Sequence, residues 1–536
     1  MNITTLVRAV AIFTLVCAIS LAQHEHSQAV SNEKPVALYP GLGAWTHPIA
    51  TKIPEAQKYF DQGLTLMYGF NRYEARRSFH KAIELDPSAA MAQWGLAMAL
   101  GPYLNMDMDP DVHPLESCDV AKTALEAKGI VVTDRAWLEA VAARCPGYSQ
   151  PQKYVAGMRS LAARYPDDPD AQTLFAESLL LPVRWHFYSP GGKAAEGVEE
   201  AQHLLEGVLR RYPNHPGANH FYIHAVESSP TPERAIPSAQ RLMGIVPSAG
   251  HMVHMPGHIW LAIGDYNTAI AVNERATQVD RDYFARTGVI SSYYMNYLHG
   301  LAFILYANAM QGRLAETHKT IETVRNSLAP MPEAASSIEI FLTFVEMRMN
   351  MCDELLATSK PTDHNPLSEA IWHYGRAAGF LGKGQHTEAQ REQQAFQELQ
   401  TKIDRNMPWG ADTIGEVIDL AATVLNARLE PNPATAIAHW RKAVEMQDQL
   451  TYFEPPAWYY PVRESLGAAL LRSGDPAAAE IVLREGLRRS PHNGRMLFGL
   501  RESLRAQGKT DEMVWVEQEF QSAWKNADVQ LRVEDL

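Results

Sequence analysis

The sequence predicts an all-α chain, a right-handed α-solenoid of helical hairpins stacked one after another. Two observations carry this. Small residues, apolar residues and prolines recur with fixed mutual offsets in distant parts of the chain. Alternating runs of β-branched residues, the mark of strands, are few, so essentially no sheet is expected. A length of 536 residues exceeds one compact core and suits a repeat array or several domains.

Gly63, Ala75, Phe79 and Pro87 set the first instance, and Gly467, Ala479, Leu483 and Pro491 keep the same offsets near the C-terminus. Gly257, Ala269 and Ala276 repeat the spacing of Gly63, Ala75 and Ala82. Small residues fall where two helices approach closely. The Asp86-Pro87 pair stops a helix, because proline cannot continue the backbone ladder. This pattern resembles the tetratricopeptide signature, whose period is 34 residues. Hairpins are predicted at 55–87, 216–247, 250–281, 291–328, 367–403 and 460–491, with further helices at 135–144, 171–181, 198–211, 337–350 and 413–429. Residues 105–115, rich in Asp, Met and Pro, read as a loop. So do residues 182–192, which hold Trp185, His186, Phe187 and Tyr188 before Gly191-Gly192.

The whole chain also resembles a bacterial group of exported tetratricopeptide proteins. The likeness lies in His47 to Thr51, Gln62-Gly63 through Asn71, Tyr165 to Asp170, His220 to Glu227, Gly250 to His258, and Glu454 to Arg463. It implies the architecture and no particular reaction.

The first residues read as a secretory signal. Arg8 gives a positive start, Ala9 to Ala22 is an apolar run too short to span a bilayer, and Ser20-Leu21-Ala22 fits a cleavage site. The expected organisation is a signal peptide at 1–22, an extended segment at 23–50, a first repeat region at 51–330 carrying a His/Glu cluster, and a second at 331–536. An uncleaved anchor is the alternative. No later segment is apolar enough to span a membrane, so a periplasmic or secreted protein is expected. Val16 before Cys17 argues against a lipid anchor. Export leads to an oxidising compartment, where Cys118 and Cys145 would bridge and Cys352 would stay free. The formal charge of −13 (48 basic, 61 acidic residues) and the lack of any Lys/Arg run exclude a nucleic-acid partner from the expected functions.

Two segments depart from ordinary repeat sequence. In His220-Phe-Tyr-Ile-His224-Ala-Val-Glu227, steps of four and three put three polar side chains on one helical stripe. His251-Met-Val-His254-Met-Pro-Gly-His258 makes a second stripe by steps of three and four. His254 follows His220, and His258 follows His224, by one repeat period, so the pairs take equivalent slots on first helices of adjacent hairpins. Such helices line the concave face of a tetratricopeptide array. His220, His224, His254, His258 and Glu227 are therefore the predicted ligands of a transition metal, with Glu227 alternatively a general base or a hydrogen-bond support for a ligand imidazole. His251 would orient substrate or support a ligand, and His299 would be a further ligand or bind substrate. A metal-free groove for a ligand, or a structural hydrogen-bond network, explains the same cluster without an ion.

Nitrogen donors suit copper, zinc or iron, and Met252 and Met255 beside the imidazoles tilt toward copper. Methionine in a helix is more often core packing. Pro256-Gly257 within the second stripe predicts a kink that re-aims His258, or a helix that starts late. Trp185 and His186 would cap the groove or simply pack; Arg463 would clamp a carboxylate or make a helix-start ion pair. His24 and His26 would bind metal loosely or lie in a polar tail. Three functions follow: a scaffold for a protein or peptide partner, a metalloenzyme for a small-molecule substrate, and a metal storage or delivery protein.

Overall fold

The computed structural model describes residues 34–106, 112–146 and 150–536. The expected signal peptide, Cys17, His24, His26 and part of the 105–115 loop lie outside them. The described chain is almost wholly helical. Contacts divide it into two compact units, one reaching to Ile259 with Ala271–Gly300 added, the other made of Trp260–Ile270 and Leu301–Leu536.

The helices run in order from α1 (Pro54–Tyr68), α2 (Arg72–Leu85) and α3 (Ala90–Leu100) to α4 (Pro114–Glu126), α5 (Val132–Ala142), α6 (Pro151–Arg164) and α7 (Pro169–Leu180). Next come α8 (Val198–Arg211), α9 (Pro216–Glu227), α10 (Ile236–Ile245), α11 (Gly250–His254), α12 (Pro256–Ala262), α13 (Tyr266–Thr287) and α14 (Tyr294–Met310). The remainder are α15 (Leu314–Asn326), α16 (Ala335–Arg348), α17 (Cys352–Ala357), α18 (Pro366–Gly382), α19 (His386–Gln400) and α20 (Ile414–Leu429). The chain closes with α21 (Pro433–Gln447), α22 (Arg463–Arg472), α23 (Pro476–Arg489), α24 (Gly494–Ala506) and α25 (Thr510–Ala523). All six predicted hairpins are present. The one sheet among the described residues is a two-stranded antiparallel turn, Pro408–Trp409 against Asp412–Thr413.

The matched offsets have a direct packing meaning. A β-carbon at Gly63 would come within 2.8 Å of the Phe79 ring, and one at Gly467 within 2.7 Å of Leu483. In both units, then, a bare glycine on the first helix admits a large side chain from the second. Many of the prolines open helices. Pro54, Pro114, Pro151, Pro169, Pro216, Pro366, Pro433 and Pro476 occupy a first turn, where a missing N–H costs nothing. Asn71, Asp168, Asn432 and Asn493 cap the helices that follow them.

Cys118 on α4 and Cys145 after α5 form a disulfide, with α-carbons 5.6 Å apart, and Cys352 is free. No helix among the described residues is long and apolar enough to cross a membrane.

Candidate metal centre

The repeat geometry brings α9, α11, α12 and α14 together around seven side chains: His220, His224, Glu227, His251, His254, His258 and His299, all buried. Neighbouring imidazole centroids lie 4.7–6.5 Å apart. Two triads emerge. His220, His224 and His251 offer nitrogens within 4.8 Å of one another, and so do His254, His258 and His299. The sequence gives His251 a substrate-orienting or supporting role and leaves His299 as a further ligand or a substrate contact; the structure places each with two of the expected ligands. Two rows of equivalent slots thus mix across hairpins, because α11 presents His251 toward α9 and His254 toward α12.

α11 ends at His254, Met255 keeps right-handed helical angles, and α12 starts at Pro256, so His251 and His254 stay on helix. Asn273 of α13 reaches the cluster beside Gly257. A β-carbon at Gly257 would come within 2.5 Å of Asn273 Nδ2, so only glycine leaves this space.

Four imidazoles are held from behind by oxygen. His220 Nδ1 lies 2.5 Å from the Tyr68 carbonyl, and His254 Nδ1 2.5 Å from Asn273 Oδ1. Glu227 serves two rings: Oε1 is 3.0 Å from His224 Nδ1 and Oε2 2.7 Å from His258 Nδ1. An imidazole nitrogen that close to a carbonyl or carboxylate oxygen carries the proton. In neutral rings the lone pair then lies on Nε2, the arrangement ligand histidines adopt when an outer acceptor fixes their tautomer. His220 Nε2, His224 Nε2 and both ring nitrogens of His251 have no hydrogen-bond partner among the described residues, although all are buried. Such orphans are costly unless a ligand satisfies them.

Electrostatics keep the cluster in its ligating form. Burial pushes His220, His251, His254 and His299 well below the ordinary histidine range, and neighbouring imidazoles add to this. Burial alone would raise Glu227, but the imidazoles of His258 and His224 outweigh it and hold it down at about 2.

Residues 68–70 matter more than the sequence reading allowed. Tyr68 is the last residue of α1, and its carbonyl accepts from His220. Phe70 has a φ of 57°, a left-handed conformation that costs a bulky residue about 1–2 kcal/mol. It lays its ring 4.5 Å from His220, 5.1 Å from His251 and 5.8 Å from His224. The unusual 68–71 block was the available signal. Tyr68 also donates its hydroxyl to buried Asp170, 2.6 Å away, which Trp45, His47 and His215 approach from other sides.

Other predicted residues lie differently. Met252 and Met255 are fully buried, and Met252 packs against Gly69. His186 is exposed, with Nδ1 3.3 Å from the Arg184 carbonyl, and Trp185 is half-buried with a φ of 67°. Arg463 belongs to the other unit and grips Asp448 through two bonds of 2.6 Å, an ion pair at a helix start.

Behind α11, Asp280 Oδ1 accepts from the Tyr293 hydroxyl at 3.0 Å, and that hydroxyl accepts the His251 backbone N–H at 3.0 Å. Burial pushes Asp280 up to about 7, against the hydrogen bond from Tyr293. Unfolded aspartate titrates near 3.9. Between these values the folded chain binds the extra proton, so this contribution to stability falls as pH rises from about 4 to 7 and is flat above. Asp280→Asn is expected to remove the slope. It should gain roughly 2–4 kcal/mol over wild type at pH 8 relative to pH 4, read by urea unfolding at both pH values.

No family model and no curated protein matches the chain. Among solved structures it is similar to Cut9 in the APC/C hetero-tetramer Cut9-Hcn1 (13% identity, 84% of this chain and 76% of that chain, TM-score 0.33). It is also similar to the human IFIT1 dimer with m7Gppp-AAAA (13%, 89% and 91%, 0.33) and to the P58(IPK) TPR domain (12%, 85% and 99%, 0.21). Fold and site by themselves define an all-helical hairpin-repeat protein with a buried cluster of six histidines and one glutamate.

Proposed function

We propose that this chain is an exported helical-repeat metalloprotein in which His220, His224 and His251 hold a transition-metal ion. One observation carries it: buried ring nitrogens of these three residues face one another without partners, while Tyr68 and Glu227 hold the other nitrogens of His220 and His224. Glu227 anchors rather than acts as a free base, since each of its oxygens lies within 3.0 Å of an imidazole nitrogen. Copper, zinc and iron are the fitting ions. Zinc would serve hydrolysis and copper or iron oxidation of a small molecule; storage or delivery uses the same ligands without turnover. The N-terminal pattern supports export, and so does the Cys118–Cys145 bridge, which persists only where thiols are oxidised.

The test is metal analysis of untagged protein purified without a nickel column. Bound transition metal is expected, and His220→Ala/His224→Ala should lose it from this triad while retaining its helical circular dichroism. A protein that binds no zinc or copper on titration, and whose melting ignores chelator, would leave the metal-free scaffold for a protein or peptide.

A further inference from the structure

The second triad repeats the first in its chemistry, and this extends the preceding reading, on which it rests. His254 Nε2 and His258 Nε2 stand 2.8 Å apart. Each of these rings has its Nδ1 against an oxygen, Asn273 Oδ1 for His254 and Glu227 Oε2 for His258. With the protons on Nδ1, two lone pairs point at each other across that gap, which is repulsive unless a cation lies beside it. Two nitrogens bound about 2.0 Å from one tetrahedral ion are about 3.3 Å apart, so a small opening of this gap would seat both on one metal. The His299 ring completes the set, its centroid 4.9 Å from that of His254 and 5.9 Å from that of His258.

We propose that His254, His258 and His299 bind a second metal ion, making the centre a pair of ions held by six imidazoles. Glu227 ties the two halves, because one carboxylate supports a ligand in each triad, His224 and His258. The donor set names the class of ion. Paired iron or manganese sites in helical proteins use carboxylates as direct ligands. Here Glu227 lies against the Nδ1 atoms of two ligands, His224 and His258, and the six imidazoles offer neutral nitrogens. That set favours copper, with zinc as the redox-inactive substitute.

The experiment titrates the full-length mature protein with Cu(I) under anaerobic conditions against a chromophoric competitor, then repeats it with Zn(II). Wild type is expected to take two equivalents, and His299→Ala and His251→Ala one each, with unchanged circular dichroism. If His299→Ala does not fold, His299→Asn replaces it. One equivalent in wild type, kept in the His299 variant, overturns the second ion and leaves the first triad standing. Loss of all metal in either variant overturns the pair in favour of one shared site. Two equivalents retained in the His299 variant also overturn the assignment. No binding of either ion by wild type removes this proposal and the preceding one together, with a proton in the gap between His254 and His258.

Discussion

Glu227→Ala is expected to lower metal affinity about 10–100-fold, the usual result of losing an outer acceptor of ligand histidines. Glu227 Oε1 is hydrogen-bonded to His224 Nδ1, and Oε2 lies 2.7 Å from His258 Nδ1. Removing them strands two buried N–H groups, each costing about 1–3 kcal/mol, so the metal-free protein should melt lower as well. Glu227→Gln separates anchoring from proton transfer. Its amide offers one oxygen and one NH2, so one of the two rings must move its proton to Nε2 and stop ligating. Competition titration should therefore find the Gln variant nearly as weak as Ala, while its melting falls less. A Gln variant that binds metal as wild type does, but is inactive, would instead mark Glu227 as a general base.

The second large effect lies in the other unit. Arg348 at the end of α16 forms a two-bond pair with Glu464 in the first turn of α22, both contacts 3.1 Å, with side chains 2% and 1% exposed. Asn493, the cap of α24, donates to the same carboxylate at 2.8 Å, and Arg495 donates to the Arg348 carbonyl at 2.7 Å. Three helices thus meet on one ion pair. Burial would lower the Arg348 guanidinium, but the Glu464 carboxylate more than compensates and raises it. Glu464→Ala leaves that cation buried and uncompensated, which should cost about 3–5 kcal/mol. Urea unfolding followed by circular dichroism measures it. A double Arg348→Met/Glu464→Leu variant should recover much of the loss, since removing both charges removes the desolvation penalty too.

Much of the fold was legible because helix packing writes itself into local spacing. The helix expected at 198–211 is α8, Val198–Arg211, and the Gly63/Phe79 offset proved to be a close contact. The helices α24 and α25 fall in the expected second repeat region but were not singled out, although Met513, Val516, Phe520 and Ala523 keep helical spacing on α25. At the site, the slots of His220, His224, His254 and His258 followed from the period alone. Their sorting into triads did not, since it depends on the rotation between α9, α11 and α12, which the Met255–Pro256 break sets. Asn273 carried no signal, because an isolated asparagine in a helix is ordinarily solvated. The sequence sets these residues on the inner face of the repeat; in the structure each is buried.

Tyr68 illustrates a blind spot of substitution analysis. A helix leaves its last carbonyls without internal donors, and α1 ends on the one that meets His220. Because the acceptor belongs to the main chain, every amino acid at position 68 supplies it. An alanine scan would register the hydroxyl of Tyr68 and its ring, yet never the oxygen that orients the imidazole. The same helix end carries a partial negative charge, so it also favours whatever positive charge the bound ring acquires.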